Sequence, residues 1–151
     1  MQVDENHRLS GCNWSPSPHF DDRPFSQDIE LVVLHCISLP EGQFGHGYPE
    51  QLFLGTLKIE DDPSFLDLEG LRVAPHLYID RKGIITQFVS LDRRAWHAGV
   101  SSWRGRPNCN DFSIGIELEG CVDAIFEEAQ YESLKNTLSA LFLRYDRLSW
   151  E

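Results

Sequence analysis

Two carboxylates, Glu117 and Glu119, stand two residues apart in the run Cys109 to Gly120, C-N-D-F-S-I-G-I-E-L-E-G. At the period of a strand they share one face with Ser113 and Gly115, while Phe112, Ile114, Ile116 and Leu118 form the other. Small residues beside acids let something approach the backbone closely, which describes a cleft floor with Glu117 standing in it. The same pattern also fits an antiparallel strand with one wet face, on which Ser and Glu are simply solvated. His35 lies near the end of a second run, Ile29 to Ile37. An imidazole there is either a hydrogen-bonded core group or a ligand placed where a rigid element hands over to a loop. Trp96 and His97 sit side by side in R-R-A-W-H-A-G-V-S-S, residues 93 to 102. Exposed, the pair suits stacking on a flat or sugar-like ligand; alternatively Trp96 plugs the core and His97 is solvated.

The elements that position these groups follow from patterning. Residues 1 to 28, with Pro16, Pro18 and Pro24, read as an irregular segment wrapping the surface. I-E-L-V-V-L-H-C-I is β-branched and almost wholly apolar, which predicts a central strand buried on both faces. The Gly- and Pro-rich stretch that follows it, from Ser38 to Pro49, is a loop. Asp62-Pro63 caps a short helix that buries Phe65, Leu66 and Leu68. Val73 to Ile79 and Ile84 to Leu91 form a hairpin turning at Gly83. After Cys121, the residues Tyr131, Leu134, Leu138, Leu141, Phe142 and Tyr145 give one apolar stripe on a helix, with Glu127 and Glu128 at its positive end. The chain then stops at R-L-S-W-E.

A chain of 151 residues is one domain's worth. Its 41% hydrophobic and 25% charged residues are those of a globular protein. Lys+Arg 13 against Asp+Glu 24 gives a net charge of -11, which argues against nucleic acid and anionic membrane surfaces as partners. No signal-peptide pattern or transmembrane stretch is present. Four cysteines without a C-x-x-C pair fit free thiols in a reducing compartment, so the expected location is cytoplasmic.

Taken together, L-V-V-L-H-C-I-S at 31 to 38, L-R-V-A-P-H-L-Y-I-D-R-K-G at 71 to 83, R-A-W-H-A-G-V-S at 94 to 101 and the run at 109 to 120 resemble the zinc-dependent N-acetylmuramoyl-L-alanine amidases. S-P-S-P-H-F-D-D-R-P at 15 to 24 adds a likeness to the cytoplasmic AmpD-type anhydromuramyl-peptide amidases. The resemblance implies an α/β (α+β) fold of the amidase type 2 and peptidoglycan-recognition-protein kind: a single domain, residues 1 to 151, with a central mixed sheet flanked by helices. It implies zinc as cofactor, His35 as a zinc ligand and Glu117 as the catalytic acid/base. Arg72, Trp96 and His97 match positions that line the muropeptide cleft. The reaction implied is hydrolysis of the amide between (anhydro-)N-acetylmuramic acid and L-alanine, in peptidoglycan recycling. A small muropeptide is the expected partner, with no obligate protein partner evident. Such chemistry needs an activated water and a stabilised oxyanion, and a zinc with an open position lowers the bound water's pKa to about 7.

Relatives of this kind continue into a segment of the type G-H-x-D-I-x-P-x-R-K-x-D-P-G, with a second His ligand, a Lys and an Asp; no such run occurs here. The domain is therefore expected to be C-terminally incomplete, through truncation rather than a frameshift or degeneration. The alternative expectation is a muropeptide-binding domain or inactive product lacking two zinc ligands. Cys36, where relatives often have Asn, and Asn108, where a basic residue is common, put fine substrate selectivity in question.

Overall fold

A computed structural model describes residues 1–25 and 29–149. Part of the wrapping segment, residues 26–28, and the last two residues of R-L-S-W-E lie outside them. In chain order the elements are β1 (Asn13–Trp14), β2 (Phe20–Asp21), β3 (Leu31–Ile37), α1 (Tyr48–Leu54), β4 (Leu77–Ile79), β5 (Ile85–Gln87), β6 (Arg94–Ala95), β7 (Ser102–Trp103), β8 (Arg106–Pro107), β9 (Ser113–Glu119) and α2 (Glu128–Arg144). One mixed sheet runs β1-β5-β4-β9-β3, and two small two-stranded ribbons, β2-β6 and β7-β8, lie beside it.

Strand β9 is parallel to both β3 and β4, which excludes the antiparallel wet-faced alternative. It is also buried on both sides: Ile114 and Ile116 on one, Ser113, Gly115 and Glu119 on the other. The apolar side packs under α2, where Leu77, Ile79, Ile85, Ile114, Ile116 and Leu118 meet Ala140, Leu141, Tyr145 and Leu148. Residues at helical spacing on α2 supply that cover. Leu134, Leu138 and Phe142 join it partly buried, but Tyr131 stands 55% exposed at the rim of the stripe. Glu127 and Gln130 close the start of α2 with reciprocal backbone bonds, a capping box. Over the other side of the sheet, Phe53 of α1 packs edge-on against Tyr78 and Phe88 in a second cluster.

Three expectations are corrected. The run ending in His35 predicts a central strand, yet β3 pairs only with β9 among the described residues and forms the sheet's edge. Val32 reaches the α2 core only in part, and Leu34 and Cys36, further along the same face, are exposed. The helix at Asp62 is a 3-10 turn, Pro63–Leu68, with the Asp62 carboxylate accepting from Ser64 N. At three residues per turn Phe65 and Leu68 align and Leu66 swings out to 66% exposed. The hairpin turns at Gly83 with φ +77°, but its paired parts are only Leu77–Ile79 and Ile85–Gln87. Within the 1–25 arm, β1 and β2 add short pairings to β5 and β6.

Candidate active site

The parallel register of β3 on β9 sets His35 opposite Glu117, and that of β4 sets Tyr78 opposite Glu117 on its other flank. Register partners in a sheet project to the same side, so an imidazole, a carboxyl and a phenol form one row across three strands. The Glu117 carboxyl makes no hydrogen bond with any described residue, and its Oε2 is buried without a partner. Burial alone pushes its carboxyl up to about 8. Two residues on, Glu119 is the opposite case. It is buried too, but Oε1 accepts from Gly45 N at 2.5 Å and Oε2 from Arg81 N at 3.0 Å. Glu119 thus ties the loop after β3 and the β4–β5 turn to β9.

The small residues at the start of β9 serve a neighbour. A Cβ on Gly115 would stand 2.2 Å from Cγ of His97, so the missing side chain is the space in which that imidazole lies. Ser113 Oγ meets His97 Nε2 at 3.0 Å, and His97 Nδ1 meets His35 Nε2 at 2.9 Å. Desolvation, then the nearby His35 and Arg23, hold His97 down to about 3, and desolvation also lowers His35. Both rings are neutral at physiological pH.

Behind this row His76 is wholly buried. Its Nδ1 accepts from Gly115 N at 3.0 Å, so its Nε2 carries the proton and donates to Arg93 O at 2.9 Å. Arg23, from the N-terminal arm, is buried beside it and donates to the carbonyls of Asn110, Asp111, Leu91 and Ser113. Burial pulls its guanidinium down to about 10. Arg23 therefore pins the approach to β9 from behind. Arg23 lies in the proline-rich N-terminal arm, and the Arg-Pro pair there carries no signal of burial.

Cavities open on either side of the His97 ring. A groove of about 570 Å³ runs along β3 from Leu31 to His35 and is walled by the 97–103 loop. A second, of about 310 Å³, holds Glu117 among Ile37, Leu39, Phe53, Val73 and Pro75. His97 lines both. The structure thus sets His35 and Glu117 at paired register positions on adjacent strands, but the two line different cavities and the His97 ring stands between them. It sets Arg72 and Trp96 apart, the exposed Arg72 guanidinium 5.1 Å over the Trp96 ring and His19 stacked on that ring at 6.2 Å. Arg72 lines a separate cavity of about 360 Å³ with His19, Gly55, Leu57 and Leu68.

An imidazole with one nitrogen uncommitted, in register with an orphaned carboxyl, fits one corner of a zinc site. Among the described residues no group of three or more His, Cys, Asp or Glu completes it. The four cysteines are free.

A family profile described as N-acetylmuramoyl-L-alanine amidase matches residues 25–150. The 1,6-anhydro-N-acetylmuramyl-L-alanine amidase AmpD of Haemophilus influenzae is 47% identical over 145 residues, which are 96% of this chain and 79% of that one. A crystal structure of a selenomethionine AmpD derivative superposes with TM-score 0.94 at 46% identity, covering 98% of this chain and 82% of the other. The amidase AmiD of E. coli, in complex with the substrate anhydro-N-acetylmuramic acid-L-Ala-D-γ-Glu-L-Lys, superposes with TM-score 0.53 at 26% identity, covering 92% and 48%.

Proposed function

This chain belongs to the N-acetylmuramoyl-L-alanine amidase family, and on that premise we propose that it cuts the amide between anhydro-N-acetylmuramic acid and L-alanine with His35 as a zinc ligand and Glu117 as acid/base. It is an amidase of peptidoglycan recycling. The observation that carries the assignment of roles is the register pairing of His35 with Glu117, a half-buried residue whose Oε2 is buried without a partner. Zinc, when bound, supplies the Lewis acid that makes a water nucleophilic at neutral pH. The chain's own contribution is the proton path. Glu117 takes a proton from the attacking water as the new C–O bond forms. It then gives the proton to the leaving nitrogen as the C–N bond breaks, which frees the lactyl carboxylate and the amine of L-Ala. Burial places the Glu117 carboxyl close to neutral, where it can both take and return a proton. Ile37, Leu39, Phe53, Val73 and Pro75 line the cavity beside Glu117 and give its carboxyl an apolar surround.

The proposal extends to a single domain over residues 1–151, a small muropeptide as the partner and a cytoplasmic location. The net charge of -11 and the free thiols support it. No helix among the described residues is long and apolar enough to cross a membrane.

The test is release of peptide from anhydromuramyl-tripeptide by the wild-type protein and by Glu117→Gln. The variant should lose about 100- to 10,000-fold in rate while its circular dichroism is kept, and an undiminished rate would overturn the role of Glu117. In a chain extended by a G-H-x-D-I-x-P-x-R-K-x-D-P-G run, metal analysis should find about one zinc per chain, and Ala in place of His35 should lower it. A second reading, muropeptide binding without cleavage, draws on the absence of a three-donor cluster among the described residues. Calorimetric binding heat with no product from the wild-type protein would favour it.

A further inference from the structure

His97 occupies the space that a side chain at residue 115 would fill, and both of its ring nitrogens are committed to protein partners. Its backbone is held as firmly. Asn110 Oδ1 accepts from the amides of His97 at 3.3 Å and Ala98 at 2.9 Å, while Asn110 Nδ2 donates to Ala98 O at 2.8 Å. A ring fixed on four sides is a poor candidate for stacking on a ligand and a good one for fixing its neighbour.

The hydrogen-bond chain has two possible directions. In one, His35 Nε2–H donates to His97 Nδ1, and His97 Nε2–H donates to Ser113 Oγ. In the other, every donor and acceptor is exchanged, and both imidazoles carry their proton on Nδ1 instead. A neutral imidazole side chain prefers its proton on Nε2, so the first direction gives both rings their favoured tautomer and the second gives both the disfavoured one.

We propose that His97 is a positioning residue: its Nδ1 accepts the Nε2–H of His35, which locks that ring in one orientation and leaves Nδ1 as its lone-pair nitrogen. Gly115 and Ser113 are the seat of this device. Outer partners of this kind set tautomer and ring orientation for ligating imidazoles, and losing one weakens metal affinity or activity about 10- to 100-fold. The inference builds on the reading of His35 as a ligand, but the hydrogen bond itself can be tested with no metal present.

The experiment is a ¹⁵N imidazole spectrum of the full chain in chelator, with His35 and His97 assigned by single substitution. The expected result is a proton on His35 Nε2 and a scalar coupling from it to a bare His97 Nδ1. His97→Asn, which keeps an acceptor near the Nδ1 position, should hold the His35 tautomer, and His97→Leu should release it to a mixture in rapid exchange. In turnover, His97→Leu should lower kcat about 10- to 100-fold with little change in KM, and His97→Asn should recover part of the loss. A proton on His35 Nδ1, or a His35 spectrum unchanged in a folded His97→Leu protein, would overturn the proposal. Loss of activity in Glu117→Gln bears on the amidase roles alone, so the two failures are distinguishable.

Discussion

On the side of β9 that meets α2, Ile114, Ile116 and Leu118 press against Leu141 and its neighbours in a continuous apolar layer. On the side that meets the 97–103 loop, Ser113, Gly115, Glu117 and Glu119 stand two residues apart, and each has a different task. The apolar side works by volume, so its members share the load and a loss is felt as a cavity. The polar side works by individual partners, and what each group does depends on whether it has one. Glu119 and Glu117 make the point on a single strand. The first is satisfied by two backbone amides and holds loops together; the second is left unsatisfied and keeps a proton within reach.

The comparison breaks if substitutions on the two sides have the same consequences. Leu141→Ala, on the apolar side, should lower unfolding stability by about 2–5 kcal/mol in a urea titration while kcat per folded molecule is unchanged. Glu119→Gln should cost about 1.5–3 kcal/mol, since an amide cannot replace both charge-assisted bonds to Gly45 N and Arg81 N. Glu117→Gln should show the reverse sign. Its carboxyl has a folded pKa of about 8, above the ordinary 4.5, so its contribution to stability is fully present below about pH 4.5 and is lost as pH rises through 8. Wild-type stability should therefore fall relative to Glu117→Gln by about 1.4 kcal/mol per pH unit across that window, measured in chelator.

The apolar side was the legible one. Alternation from Phe112 to Leu118 and the helical spacing of Leu134, Leu138, Leu141 and Phe142 mark inward faces wherever the partners lie. Gly83 marks its turn because positive φ demands it. What patterning cannot carry is the partner. An apolar run looks the same at a sheet's edge as at its centre, and β3 lies at the edge with Leu34 and Cys36 exposed. Small residues at Ser113 and Gly115 announce a close approach but not that His97, twenty residues back or fewer, is what approaches. Trp96 and His97, adjacent in the chain, part company because one ring enters the sheet's polar side and the other lies between Arg72 and His19. The roles of His35 and Glu117 are what the family resemblance implies, and their nearness follows from the parallel register of β3 on β9.

The most direct measurement is a ¹³C titration of the Glu117 side-chain carboxyl in the chelated, folded protein. The account expects the carboxyl to change protonation close to pH 8, as a buried group without a partner should. A transition near the ordinary 4.5 would mean that Glu117 is solvated or paired, and the division of β9 into a packed side and a reactive one would fail.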